Sequence, residues 1–209
     1  MYLGWDMNLR AYEMRMRAES TAATRASIVR AATETFMAER TFNVTLGAVA
    51  ERADVTTKTI LRHFGSRDAL LDEAWGQAYA EVLAERTPPT RDVKAALDVL
   101  IAHYEVRGDV ALGVLAEEDK DPRAKRMNDA GRAGHRSWVD QVFDNQLPSA
   151  GPERARLVDA LVVVTDVYAW KLLRRDRRLT SAEVHDRMTL MSQGILLGAQ
   201  RQPLPEELT

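Results

Sequence analysis

An all-α fold is predicted by three features of the 209-residue sequence. Apolar residues recur at helical spacing, helix caps and prolines punctuate the chain, and runs of alternating β-branched residues are nearly absent. Ile28, Ala31, Ala32, Thr35 and Phe36 fall at i, i+3, i+4, i+7 and i+8, the spacing of one buried helical face. They predict a first helix from about Thr24 to Glu39. Two short helices follow, Thr45–Arg52 and Thr56–His63, each opened by a threonine able to cap free backbone N–H groups, with Ala53-Asp54-Val55 between them. Ser66 caps a longer helix toward Arg86, with Asp68 well placed in its first turn. Thr87-Pro88-Pro89-Thr90 ends that helix and marks a domain boundary, because proline neither continues a helix nor leaves its predecessor helical.

Beyond the boundary, Val93, Leu97, Leu100, Ile101 and Tyr104 predict an amphipathic helix, which Gly108 separates from a short apolar one ending at Glu117-Glu118-Asp119. Asp121-Pro122 reads as the cap and first position of a helix reaching about Leu147. After a break at Pro148–Pro152, the last two helices are Glu153–Arg175 and Ser181–Gln200, the second introduced by a capping box at Thr180-Ser181-Ala182-Glu183. The expected plan is an extension at 1–23, a small unit of short helices at 24–71 with a connecting helix to about 86, a C-terminal unit at 90–200, and a tail at 201–209.

Composition narrows the function classes. With 45% apolar and 29% charged residues the chain is a soluble globular one, and the absence of cysteine excludes a disulfide scaffold or thiolate metal site. The most apolar window, Leu161–Trp170, is interrupted by Asp166 and followed by Lys171, well short of the ~20 residues of a membrane span. Met1–Arg10 carries Asp6 and lacks a continuous apolar stretch, so it does not read as a signal peptide and the cytoplasm is expected. Four histidines without an HExxH pattern or carboxylate cluster predict no metal site, and no cofactor is expected. The formal net charge of -2 argues against a chain that coats nucleic acid, yet Lys58, Arg62, His63 and Arg67 lie in a stretch, Thr56 to Arg67, without one carboxylate.

Two short helices joined by a tight turn, preceded by a supporting helix and carrying a basic patch, are the layout of a helix-turn-helix DNA reader. Leu46, Val49, Ala50, Val55, Ile60 and Phe64 can form its small core, while Thr56, Thr57, Lys58 and Thr59 crowd the start of the second helix, where they would face a groove or a phosphate. Arg25-x-x-Ile28-x-x-Ala31-Ala32-x-x-x-Phe36, Thr45-Leu-Gly-Ala-Val-Ala50, Ala53-Asp-Val-Thr56 and Ile60-x-x-His63-Phe64-x-Ser66-Arg67-x-x-Leu70 together resemble the N-terminal domain of TetR-family transcriptional regulators. The resemblance covers roughly Arg25 to Leu71; the remainder matches by architecture.

In that family the N-terminal domain binds operator DNA as a homodimer, and a variable all-α C-terminal domain dimerises and binds a small effector. The resemblance therefore implies a non-enzymatic, ligand-responsive regulator of double-stranded operator DNA, expected to act as a homodimeric repressor. Carried over by position, Thr45 would touch a phosphate, Thr56, Thr57 and Lys58 would read bases or phosphates, and His63 and Arg67 would clamp the backbone, with Arg62 beside them in the basic patch. Asp54 replaces the common turn glycine, and aspartate tolerates a left-handed backbone better than most residues. Leu61 replaces the usual tyrosine, removing one hydroxyl contact, and Thr41 stands where glycine is common. Met1–Ala23 precedes the matched region and contains Arg15 and Arg17; it reads as a leader without a role, or as a start placed too early given Met7, Met14 and Met16, in preference to a minor-groove arm.

For the C-terminal unit, His103, Tyr104, His135, Trp138, Phe143, Trp170 and Met188 offer the aromatic, polarizable and hydrogen-bonding walls of an effector cavity. Leu157, Leu161, Val164 and Tyr168 make one apolar stripe beside a second of Val158, Val162, Ala169 and Leu173, so one is spare for a partner chain. Met191 and Ile195, with Gly194 and Gly198 one turn apart for close approach, add the last helix to a four-helix homodimer interface. Arg174-Arg175-Asp176-Arg177-Arg178 reads as a solvated helix end. Two other readings stay open: an all-α small-molecule-binding or enzymatic protein using His103 or His135 as acid or base, and a protein-interaction adaptor.

Overall fold

The computed structural model describes residues 3–39, 43–87 and 92–201, and all regular structure among them is helical. The chain divides into two compact units, Met1–Ala80 and Glu81–Thr209, so the division falls within a helix, before the Pro88-Pro89 break. That break, Thr41 and residues 202–209 lie outside the described residues.

In the first unit, α1 (Leu3–Glu39) begins twenty-one residues before the expected start at Thr24. Every residue from Tyr12 to Ala23 is exposed, whereas Ile28, Ala31, Ala32, Thr35 and Phe36 are buried as the periodicity predicts. The amphipathic signal located only the packed part, because Tyr12–Ala23 has helix-forming residues but no buried stripe. α2 (Leu46–Arg52) and α3 (Thr57–Phe64) follow, then α4 (Arg67–Glu85). Phe36 meets the Trp75 ring edge-on with centroids 4.2 Å apart, and Ile60, Leu70 and Leu71 are fully buried.

The second unit packs α5 (Val93–Ala116), α6 (Pro122–Val142), α7 (Pro152–Thr165), α8 (Val167–Trp170) and α9 (Ser181–Arg201) around one apolar core. Gly108 does not break α5. A Cβ there would lie 2.5 Å from Trp170 Cζ3, so the glycine admits an indole that is itself wholly buried. α6 stops at Val142, short of Leu147, and a single 3-10 turn, Asp144–Gln146, follows; Phe143 turns into the core there, and Arg154 ties the turn by bonding Asp144 and the Pro148 carbonyl.

The expected single helix from Glu153 to Arg175 is interrupted at Asp166, whose backbone is extended and whose carboxylate caps Tyr168 N–H at 2.8 Å. A six-residue π-helical turn, Lys171–Asp176, then follows α8. Arg174 and Arg175 are not a merely solvated end: they reach back to Glu105 at 2.8 Å and Asp109 at 3.1 Å on α5, and Arg175 stacks on Trp170. These contacts join residues far apart in sequence, which helical periodicity cannot register.

Candidate nucleic-acid interface

The helix pair α2 and α3 is built by caps. Thr45 Oγ1 accepts from Ala48 N–H at 3.1 Å, and Thr56 Oγ1 accepts from Thr59 N–H at 3.1 Å. Between them Ala53 N–H closes α2 on Val49, Asp54 takes a left-handed backbone with φ 52°, and Val55 N–H returns to the Ala50 carbonyl. Asp54 thus supplies by strain tolerance what glycine would supply by lacking a side chain. Val49, Ala50, Ile60 and Phe64 are buried, which fixes the pair against α1, and Gly65 (φ 78°) ends α3 so that Ser66 can cap α4.

With the inner face packed, Thr45, Thr56, Thr57, Lys58 and Arg62 are exposed, and Leu61, 43% exposed, stands among them. Neither Lys58 nor Arg62 has an ion-pair partner among the described residues. The two remaining basic-patch residues are half-buried. Arg67 donates to the Val44 carbonyl at 2.7 Å, bracing the approach to α2, and His63 lies beside Phe64 at the end of α3. Arg25 acts as an anchor that the pattern contained without disclosing its role. Its guanidinium donates to the His63 carbonyl at 2.5 Å, pairs with Glu73 on α4 and lies 4.1 Å over the Phe64 ring, locking α1, α3 and α4 together.

Residues 28–74 match the family model for bacterial regulatory proteins of the tetR family. The N-terminal unit belongs to the TetR family. Solved structures share the helical architecture of this chain at low identity. A transcriptional regulator from Rhodococcus sp. Rha1 is 16% identical with a TM-score of 0.63, covering 83% of this chain and 96% of that one. A Pseudomonas aeruginosa PAO1 protein assigned as a transcriptional regulator is 16% identical with a TM-score of 0.64, covering 85% and 92%. A Mesorhizobium loti protein assigned as a TetR-family regulator is 15% identical with a TM-score of 0.59, covering 85% and 97%. Among curated proteins no significant sequence relative is found.

In the second unit, the expected cavity residues separate. Phe143, Trp170 and Met188 are at most 1% exposed and belong to the apolar core. Tyr104 is held by its hydroxyl, which donates to the Thr165 carbonyl at 3.0 Å. His103 lies 3.2 Å from Glu85, a carboxylate that also receives a fork from Arg107 at 2.8 and 2.5 Å. His135 joins a buried polar chain: Arg86 Nη2 lies 2.6 Å from its Nδ1, its Nε2 lies 3.1 Å from Thr165 Oγ1, and that hydroxyl donates to the Leu161 carbonyl at 2.7 Å. Trp138 stacks on His135 and lines a half-open cleft of about 200 Å³, together with Leu83, Arg86, Thr87, Gly134, Ser137 and Gln141. Arg86 carried no sequence signal, being one cation among many at a helix end.

Burial pushes His103 down to about 4 and His135 down to about 3, and the Arg86 charge acts in the same direction on both. Both therefore stay neutral in the folded chain at pH 7, while the unfolded chain titrates near the ordinary histidine value of about 6.5. As pH falls below that value the unfolded state binds protons that the folded state refuses, so stability is lost on the acid side and retained above it. The melting temperature is expected to fall from pH 7.5 to pH 5, above the range where carboxylates titrate; circular dichroism melts that are flat over this interval would contradict the assignment.

The outward apolar residues of α7 and α9 also differ from those expected. Leu157 and Leu161 are buried in their own unit, Val164, Met191 and Ile195 are half-buried, and Tyr168, Gly194 and Gly198 are exposed. Val163, Leu190 and Leu197 are the outward apolar side chains, 68%, 63% and 55% exposed. Leu157 and Leu161 are buried because α7 packs that side against α9 and its neighbours.

Proposed function

We propose that this chain is a homodimeric, ligand-responsive repressor that reads a palindromic operator through the N-terminal half of α3. The observation that carries the reading is the outward set Thr56, Thr57, Lys58 and Arg62, uncommitted to the fold's ion pairs and mounted on a TetR-family frame. Thr45 at the start of α2 supports a phosphate contact, and half-buried His63 and Arg67 support backbone clamping at the other end of α3. The exposed Val163, Leu190 and Leu197, with open space over Gly194 and Gly198, support a second copy packing on α7 and α9. A small molecule bound in the second unit would change DNA affinity only by favouring one separation of the two recognition helices over another.

Selection of bound duplexes from a random pool at two salt concentrations tests the reading, since charge-driven binding fades with salt and base-specific binding persists. A palindrome with half-sites one turn, ~34–36 Å, or a multiple apart is the expected product. A pool that stays unenriched at both salts would overturn it.

A further inference from the structure

The cleft beside α6 holds a cation whose charge the protein does not neutralise. Arg86 has no carboxylate within ion-pair distance among the described residues. Glu85, its neighbour in sequence, is committed to Arg107 and His103. The partner Arg86 does have is an imidazole. Because Thr165 donates onward to Leu161, its oxygen is left to accept from His135 Nε2, which leaves Nδ1 as the lone-pair acceptor facing Arg86 Nη2. This chain fixes the plane of the guanidinium without cancelling its charge.

Two further donors at the cleft have no acceptor among the described residues. Arg86 Nε and Trp138 Nε1 are both buried and unbonded, and Trp138 is 5% exposed. The guanidinium carbon lies 5.8 Å from the Trp138 ring centre, so one small ligand group can reach both side chains. A buried donor without a partner costs on the order of 1–3 kcal/mol, and an unpaired charge costs more. The arrangement is thus complete only when an acceptor with negative charge arrives. The other lining supplies an apolar wall, Leu83 and the Trp138 ring, and neutral polar groups at Ser137 and Gln141, which already bond each other at 3.0 Å. No acidic side chain among the described residues lines the cleft, and its volume of about 200 Å³ suits a small molecule.

We propose that this cleft binds a small organic carboxylate, its two oxygens received by Arg86 and Trp138 and its hydrocarbon part lying on Leu83 and the indole. The proposal rests on the regulator reading in one respect: it makes the effector a monoanion and not a neutral or cationic compound. A carboxylate matches the planar guanidinium fork in shape as well as charge, which a neutral amide does not.

Calorimetric titration of the full-length chain, in buffer free of other organic acids, with benzoate and hexanoate against their neutral isosteres benzamide and hexanamide tests it. At least one acid is expected to bind ten-fold or more tightly than its amide. Arg86→Gln is expected to remove that preference, and Trp138→Phe, which keeps the ring and loses the N–H, to weaken acid binding several-fold while leaving any amide binding unchanged. Melting temperatures of both variants confirm folding, and Trp138→Phe decides the matter should Arg86→Gln fail to fold. Equal binding of acid and amide, retention of the preference in both variants, or no binding of either acid overturns the proposal. Duplex selection with the same preparation keeps the two readings apart. An enriched palindrome without carboxylate binding leaves the regulator standing and removes the ligand assignment, and carboxylate binding without any enriched duplex does the reverse.

Discussion

Replacing Thr57 and Lys58 together by alanine is expected to lower affinity for the selected duplex by roughly 10- to 1,000-fold, with helical content and melting temperature unchanged. The magnitude follows from losing one base-edge or phosphate contact at each position, at about 1–3 kcal/mol for a well-made base contact and less for a phosphate. Stability is spared because both side chains are exposed and neither is the cap: Thr56 Oγ1 holds the end of α3, and Ile60 and Phe64 hold its inner face. Losing Lys58 alone from a phosphate would weaken all duplexes alike and shallow the salt dependence, whereas loss of a base contact would flatten the preference among duplexes. Electrophoretic mobility shifts with the selected and a scrambled duplex at two salt concentrations separate these outcomes. Undiminished selective binding by the double variant would remove α3 from the interface.

The second large effect is expected at Gly108. In an ordinary mid-helix position, glycine to alanine stabilises by about 1 kcal/mol. Here the added methyl carbon would sit 2.5, 2.6 and 3.0 Å from three atoms of the Trp170 ring. The ring cannot retreat, because Trp170 is wholly buried, its Nε1 donates to Glu105 at 3.1 Å, and Arg175 covers its face. Overpacking of this kind costs about 1–3 kcal/mol or more, so it outweighs the propensity gain. Gly108→Ala is expected to melt several degrees below the parent chain, while Gly131→Ala on α6, where no neighbour lies within 4 Å of the new carbon, is expected to melt slightly above it. Equal behaviour of the two variants in thermal melts would show that the indole yields.

These cases mark what the amino-acid order discloses. Thr45, Thr56 and Ser66 were legible as caps because a cap is a contact over three residues, and the Thr180–Glu183 box formed as spelled, with Thr180 N–H on Glu183 at 2.8 Å and the return bond at 3.3 Å. The paired short helices were legible for the same reason. Gly108, Asp166 and the π-helical turn were not: a glycine reads as a break until the indole it accommodates is known, and an aspartate in an apolar run gives no sign that it will cap a new helix. The exposed Tyr12–Ala23 stretch of α1 escaped notice because a helical segment without a buried face has no period to detect. Arg86 escaped for a further reason, since what distinguishes it is the lack of a counter-charge, a property of its neighbours in space.

Arg25 divides the labour of α3. By gripping the His63 carbonyl, the Phe64 ring and Glu73, it holds the helix from behind through one backbone atom, one apolar ring and a residue of another helix. None of these anchor points is Thr57, Lys58, Leu61 or Arg62. Those four outward positions are consequently released from any duty to the scaffold, and they form an alphabet that natural variation can rewrite letter by letter. If α3 reads DNA as proposed, a descendant of this chain could change the sequence it prefers without first acquiring a stabilising substitution elsewhere, and an engineer could retarget it by randomising the same four sites.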